Sequence, residues 1–159
     1  MANPAYLWLT DENGSPILGG CEVLGRAGSI EIKSLSHHMT VPTDGHTGRL
    51  TGTRIHTPIL IQKEFDRVTP FLYRAISLGN TMQTAEIKMY ETSAAGVEVE
   101  YFNILLENVK ITGMTPSLHP GAATGTHLEN VELRYESIQW KYVSGNIIFK
   151  DSWNGRCVA

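Results

Sequence analysis

Six histidines are the first residues to test for chemistry, because an imidazole can bind a metal ion or move a proton near neutral pH. His37 and His38 are adjacent, and neighbouring side chains on a strand point to opposite faces, so a regular strand cannot direct both at one ion. The metal-binding motifs His-Glu-x-x-His and Cys-x-x-Cys are absent from the sequence. We therefore expect no metal site and no cofactor.

Other catalytic patterns are equally scarce. Glu98 and Glu100 share a strand face at a separation of roughly 7 Å, which suits a glycosidase pair, but alternating apolar neighbours favour a solvated outer face. The glycine-rich segment 45–52 lacks the Gly-Lys-Ser/Thr of a phosphate-binding loop, and the nucleophile motif Gly-x-Ser-x-Gly is absent. The residues predict a protein that is not an enzyme.

The composition is that of one ordinary globular domain. The chain has 159 residues, 42% of them hydrophobic, and 13 basic against 16 acidic residues give a net charge of −3. This balance argues against nucleic acid as a partner. The start lacks a signal-peptide pattern and no apolar run approaches the ~20 residues of a membrane span, so we expect neither a cleaved leader nor membrane insertion. Whether Cys21 and Cys157 pair stays open.

The elements that must position these residues are mainly β-strands. Apolar and polar residues alternate with period two, the pattern of a half-buried strand. The clearest runs are Ile30/Ile32, Ile59/Ile61, Ile87/Met89, Val97 to Tyr101 and Val131 to Tyr135. The remaining regular element is one short helix over residues 69–78, with Thr69 as its N-cap, Pro70 at its first position, Gly79 after its end and an apolar face that includes Phe71 and Leu72.

Three strand segments change their apolar face part-way along. The new apolar set begins at Phe102 in one segment, at Ile138 in the second and at Leu35 in the third. A bulge or bend that carries a strand around a corner produces this switch, so the pattern predicts a small two-sheet β-barrel with one flanking helix. The alternative is that both faces of these strands are covered, one by the core and one by the helix or another subunit.

Two long segments lack strand character, Pro42–Arg54 and Thr115–Thr126. Loops of this length are uncommon inside a compact domain and are usually functional or disordered. With no convergent catalytic set, the residues predict a domain that works by binding or by assembly. A stand-alone β-barrel that binds a small ligand at a mouth formed by the two loops is one alternative.

The sequence resembles the Hcp (hemolysin-coregulated protein) family of bacterial type VI secretion nearly end to end. Its residues are most similar to those of enterobacterial members. The most characteristic stretch is residues 56–66, HTPILIQKEFD, followed by TPFLY at 69–73. Supporting matches, in order along the chain, are Tyr90, Tyr101-Phe102, ELRYE at 132–136, IQWKY at 138–142 and KDSW at 150–153.

The resemblance implies a secreted tube protein. Family members are two-sheet β-barrels that form hexameric rings, and the rings stack into a hollow tube that carries small effector proteins. A contractile sheath propels the tube, which a spike protein caps. Members are cytoplasmic before firing and leave the cell without a cleaved signal. For this chain the resemblance implies one tube domain over residues 1–159, with no C-terminal toxin extension.

The resemblance also implies a contact site, because the family's extended loop at this place touches neighbouring subunits. By matching position we expect the inter-subunit, ring-stacking contact at Thr43, Asp44, Gly45, Gly48, Arg49 and Gly52. Arg49 is the most testable of these, since a planar guanidinium can pair across an interface. The alternative is that the loop is a mobile surface segment without partner contacts.

Overall fold

A computed structural model describes residues 3–118, 120 and 127–155. Within these residues the chain forms twelve strands and one helix. In chain order they are β1 (Ala5–Thr10), β2 (Pro16–Ile17), β3 (Ile30–Ile32), β4 (Ser34–Ser36), β5 (Met39–Thr40), β6 (Ile55–His56), β7 (Ile59–Glu64), α1 (Thr69–Leu78), β8 (Met82–Thr92), β9 (Glu98–Ser117), β10 (Leu128–Arg134), β11 (Ser137–Tyr142) and β12 (Ile147–Ser152). The prediction of a mainly β protein with one short helix is confirmed.

The described strands pair antiparallel throughout. Ten of them join in one sheet with the order β2-β1-β8-β9-β10-β7-β4, to which β3 adds on β1, β11 adds on β9 and β12 adds on β11. Strands β5 and β6 pair with each other in a separate two-stranded ribbon. The order of the ten-stranded sheet has two ends, so strand pairing alone does not close it, and the two-sheet barrel stays a proposal.

Strand β9 organises the sheet, because its first half pairs with β8 and β11 and its second half with β10. A register shift opposite Met89 and Tyr90 leaves Tyr101 as an extra residue, which explains the predicted face switch at Phe102. A second switch follows at Asn108, whose φ of +52° is left-handed. The buried side chains change there from Leu106 to Val109, a change the periodicity analysis missed.

The other two predicted face switches coincide with a change of strand neighbours. Strand β3 pairs with β1, whereas β4, one residue later, pairs with β7. Between them the Lys33 amide donates to the Gln62 carbonyl at 2.7 Å. Strand β10 pairs with the second half of β9, and β11 returns to its first half. In each case the chain bends so that opposite faces meet the core.

Helix α1 has the predicted bounds but a different start. Its N-cap is Val68, which supplies no side-chain hydrogen bond, whereas the hydroxyl of Thr69 donates to Glu129 at 2.8 Å. The prediction of Thr69 as N-cap was therefore wrong. Gly79 ends the helix with a φ of +68°, as predicted. Leu72 is buried, but Phe71 is 51% exposed, so the predicted apolar face is narrower than expected.

The core is an apolar cluster contributed by strands from both ends of the sheet order and by α1. Its fully buried members include Leu7, Ile59, Ile87, Leu106 and Leu133. The second predicted loop, Thr115–Thr126, begins later than expected because residues 115–117 belong to β9. Residues 119 and 121–126 of that prediction, and Cys157, lie outside the described residues.

Candidate functional site

The loop predicted at residues 42–54 lies between β5 and β6 and is exposed along almost its whole length. Of the six residues predicted to make contacts, Asp44 is half-buried and the other five are exposed: Thr43, Gly45, Gly48, Arg49 and Gly52. The fold therefore brings all six into one surface segment, which we call the projecting loop (residues 42–54).

Hydrogen bonds within the projecting loop give it a defined shape. One carboxylate oxygen of Asp44 accepts the amides of His46 at 2.7 Å and Thr47 at 3.1 Å. The Asp44 amide donates to the Arg49 carbonyl at 2.7 Å, and the Thr51 amide donates to the Pro42 carbonyl at 2.9 Å. The two amides that Asp44 accepts, that of His46 first, lower the pKa of its carboxyl group.

The turn at the tip of the projecting loop depends on a glycine. Gly48 has a φ of +69°, a conformation that side-chain-bearing residues rarely adopt, and its amide donates to the Asp44 carbonyl at 2.9 Å. Beyond it Leu50 is 70% exposed, and Ile55 at the base of the loop is 49% exposed. An ordered loop that presents aliphatic side chains to solvent has the character of a contact surface.

A chain of polar side chains lies at the base of the ribbon that carries the loop. Arg54 makes a two-point ion pair with Asp151 of β12, at 2.5 and 2.6 Å. The same carboxylate lies 2.9 Å from Nε2 of His56. The other ring nitrogen of His56 lies 2.5 Å from the hydroxyl of Tyr135, which also contacts Nε2 of His37 at 2.9 Å. We call these five residues the ribbon network.

Burial strengthens the hydrogen bonds and the ion pair of the ribbon network. His56 is 2% exposed and stacks on Trp153 with ring centroids 5.6 Å apart. The Arg54 guanidinium, helped by His56, lowers the pKa of Asp151 to about 2 against the opposing effect of burial. Burial, and then the nearby Asp151 carboxylate, raise the pKa of Tyr135 well above its ordinary value. At neutral pH the network therefore holds an ionised carboxylate and a protonated phenol.

No local motif in the sequence predicts the ribbon network. Its members come from the turn before β5, from the end of the projecting loop, and from β6, the β10–β11 turn and β12. We tested His37 as a metal ligand, but it contacts a tyrosine hydroxyl instead. Among the described residues, no three histidine, cysteine, aspartate or glutamate side chains are grouped so that they could hold a metal ion.

The pH dependence of stability tests the environment of His37. Its ring contacts Tyr135 and Trp140 and has His56 and His38 nearby, and burial, followed by the nearby His56, lowers its pKa below the ordinary 6.5. The unfolded chain takes up this proton first, so we expect the contribution of His37 to stability to fall as the pH drops through 6.5. Proton NMR titration of the ring should give a midpoint below 6.5, and His37→Gln should flatten the decline of stability between pH 7.5 and 5.5. A midpoint at or above 6.5 would contradict this.

A separate cavity of about 340 Å³ lies between α1 and the β1–β2 turn. Its apolar lining includes Leu18, Phe71 and Met82, and Arg67 and Arg74 contribute two guanidinium groups. No residue of the projecting loop lines this cavity, so it is not the mouth that a loop-gated ligand site would require. The part of the chain that the structure describes also holds no helix long and apolar enough to cross a lipid bilayer.

Comparison with known proteins points to one family. The family described as "Type VI secretion system effector, Hcp" matches residues 6–142. The chain is 31% identical to a protein named "Major exported protein" from Pseudomonas aeruginosa strain PAO1, and the alignment covers 96% of each sequence.

Solved structures agree with this match. The chain superimposes on a mutant of Hcp1 from the EAEC 042 pathovar of E. coli with a TM-score of 0.88 and 51% identity, over 94% of this chain and 98% of that one. It also superimposes on the secreted protein Hcp3 of Pseudomonas aeruginosa with a TM-score of 0.81 and 27% identity, over 97% of this chain and all of that one.

Proposed function

Because this chain belongs to the Hcp family and is thus a secreted tube protein of a type VI secretion system, we propose that six copies close into a ring and that the rings stack into a hollow tube. The observation that carries the proposal is the projecting loop, which is ordered by its own hydrogen bonds yet exposed along almost its whole length. Such a segment can meet a neighbouring copy without first having to fold, which lowers the entropic cost of the contact.

The barrel is part of this proposal. We infer that the strand circuit β9-β8-β1-β3, continued through Lys33 into β4-β7-β10 and back to β9, wraps into a two-sheet barrel. Two observations support it: β3 and β4 are separated by one residue whose amide bonds to β7, and β9 pairs with members of both groups of strands. Strands that bend at corners allow a small barrel of this kind.

Within the tube we propose that Thr43, Asp44, Gly45, Gly48, Arg49 and Gly52 make the contact between stacked rings. The support is their common place on the projecting loop and the exposed Leu50 beside them. We propose a second contact, between neighbours in the ring, along β12. This strand pairs only with β11 among the described strands, and Ile147, Ile148 and Phe149 on it are each between 47% and 66% exposed.

Further partners follow from the family. We propose that the tube carries small effector proteins, is capped by a spike protein and is driven by a contractile sheath. The protein is then cytoplasmic before firing and exported afterwards, which agrees with the name of the Pseudomonas aeruginosa relative. The family is one of structural secretion proteins, and we propose a mechanical rather than an enzymatic role and no cofactor.

Native mass spectrometry and electron microscopy of the purified protein test the proposal. We expect six copies per particle and, at high concentration, rings stacked end to end. The alternative function is a stand-alone barrel that binds a small ligand, for which the cavity beside α1 is the available volume. A monomer at high micromolar concentration that binds a small molecule at this cavity would favour the alternative and contradict the tube.

Replacing Arg49 with alanine should weaken ring stacking and leave the fold intact. The side chain is exposed on the projecting loop, so its removal costs no core packing, but it deletes a planar guanidinium that can pair across the contact. We expect about tenfold weaker stacking by light scattering and electron microscopy. The control is Arg74→Ala, which removes an arginine that is also exposed but lies on α1, outside the proposed contacts. Stacking equal to that of the unaltered protein would remove Arg49 from the contact.

A further inference from the structure

The ribbon that carries the projecting loop needs support from the rest of the chain. Its two strands, β5 and β6, are two residues long and pair only with each other within the described part of the chain. An isolated two-stranded ribbon is marginally stable at best in water, and a shorter one is weaker still. The ribbon continues the β4–β7 pair, because the Thr57 amide donates to the His38 carbonyl at 3.1 Å between them, and side chains at its base are the further contacts that can fix the direction of the loop.

The ribbon network supplies those side chains, and its bonds converge on the Asp151 carboxylate and the Tyr135 hydroxyl. An ionised carboxylate only accepts, so Nε2 of His56 donates to Asp151. The Tyr135 hydroxyl lies between Nδ1 of His56 and Nε2 of His37, within hydrogen-bond distance of both, and so joins the two rings. The network thus links three residues on the side of the ribbon, His37, Arg54 and His56, to two residues outside it. These two are Tyr135 in the β10–β11 turn and Asp151 on β12.

We propose that Asp151 is the positioning residue that fixes the direction of the projecting loop. It accepts from both Arg54 and His56, which lie on either side of residue 55 where the loop enters β6. The ion pair between Arg54 and Asp151 is bidentate, and the same guanidinium also donates to the Ser152 carbonyl at 3.1 Å. Two planar groups held at one carboxylate leave the ribbon little freedom to swing.

Neighbouring residues support the same role. Trp153, two positions after Asp151, stacks on His56 and packs edge-on against Tyr135 at 5.3 Å. A Cβ added at Gly155 would lie 3.2 Å from the Arg54 guanidinium, so the chain after β12 closes over the ion pair. The end of β12 and the residues after it therefore pack against the base of the ribbon.

The role of the loop in stacking rests on the proposed function, but its positioning can be measured without stacking. Spin labels at Gly45, where a side chain meets no atom within 4 Å, and at the exposed Ser77 on α1 report the direction of the loop. The labelled variant replaces Cys21 and Cys157 with serine and is mixed with excess unlabelled protein, so that only distances within one subunit are recorded. We expect one narrow distance distribution for the unaltered network.

Asp151→Asn tests the inference, since it keeps the shape of the side chain and removes its charge. We expect the Gly45–Ser77 distance distribution to about double in width, because the loop is no longer held at its base. Glu86→Gln is the matched control: it makes the same change in the half-buried Glu86–Lys88 pair on β8 and should leave the distribution narrow. A distribution for Asp151→Asn as narrow as that of the control overturns the inference.

Tyr135→Phe is the second variant, which keeps the aromatic packing and deletes only the hydroxyl between the two histidines. Tyr135→Phe should broaden the Gly45–Ser77 distance distribution less than Asp151→Asn does. If one variant folds poorly, the other still tests the inference, and unchanged distributions in both variants would overturn it. For stacking, Asp151→Asn should still form rings but about tenfold fewer stacks. If the unaltered protein forms no stacks, the proposed function fails while the distance measurement still decides the positioning role.

Discussion

Replacing Lys63 with methionine should lower the free energy of unfolding by about 3–5 kcal/mol, because it removes one partner of a buried ion pair. Lys63 and Glu129 are both 0% exposed and face each other across β7 and β10 in direct register. The ammonium group also contacts Asp66 at 3.0 Å and the Thr69 hydroxyl at 3.2 Å. Without the lysine, two carboxylates remain close together and one of them has no access to water.

Glu129 makes this loss severe. Its Oε1 accepts from Thr69 and pairs with Lys63, whereas its Oε2 has no hydrogen-bond partner among the described residues. The charge of this carboxylate therefore depends on the lysine. Replacing both residues, as Lys63→Met with Glu129→Leu, should recover most of the loss, because a packed apolar pair can be as stable as a buried ionic one.

Urea denaturation measures the stability of both variants, at a protein concentration low enough to keep the protein monomeric. Lys150→Met is the control, since Lys150 is half-exposed in its pair with Glu107 and its loss should cost no more than about 1 kcal/mol. If the free energy of unfolding of Lys63→Met lies within about 1 kcal/mol of that of the unaltered protein, the buried pair contributes little to stability. A double variant that is no more stable than Lys63→Met would show that packing, rather than the unpaired charge, sets the cost.

The buried pair also shows what the periodicity could have predicted. The alternation Ile59, Ile61 continues inward to Lys63, and the alternation Leu133, Val131 continues to Glu129. Both charges therefore occupy core positions of their strands, and extending the apolar pattern by one step would have found them. That they face each other was not predictable, because the register of β7 against β10 is a long-range property of the fold.

The strands and the helix were predictable for local reasons. Alternation gave the strand faces, and Pro70 and Gly79 bounded α1. The switch at Asn108 was missed although the spacing marks it, because Leu106 and Val109 are three residues apart in a pattern whose other steps are two. The ribbon network was missed because its contacts join residues as far apart as 98 positions in sequence, so no short motif contains them.

The projecting loop could be recognised from its length and glycine content, but its order could not. Gly45, Gly48 and Gly52 are equally compatible with a mobile segment, and the difference lies in the hydrogen bonds of the folded loop, among them the two amides that Asp44 accepts across the turn. Its exposed aliphatic residues are likewise visible only in the fold, since a leucine in a loop sequence can face either way. A loop shaped in this way serves assembly only if the ring beneath it also forms.

Introducing a charge on β12 should abolish that ring. Phe149 is 65% exposed and stacks on Trp140 at 6.0 Å, and Ile148 next to it faces the other side of the strand. An exposed apolar edge strand is a pairing surface, and in a closed ring each subunit repeats the contact with its neighbours. Burying an unpaired glutamate in every interface costs several kcal/mol each time, so the losses accumulate around the ring.

We therefore expect Phe149→Glu to be monomeric by native mass spectrometry at concentrations where the unaltered protein forms rings. Its circular dichroism should be unchanged, because the replaced side chain lies outside the core cluster. Leu78→Glu is the matched control: Leu78 is also 65% exposed, but it lies at the end of α1, and this variant should still form rings. Rings formed by Phe149→Glu would exclude β12 from the interface, whereas their loss in both variants would show a general effect of added charge.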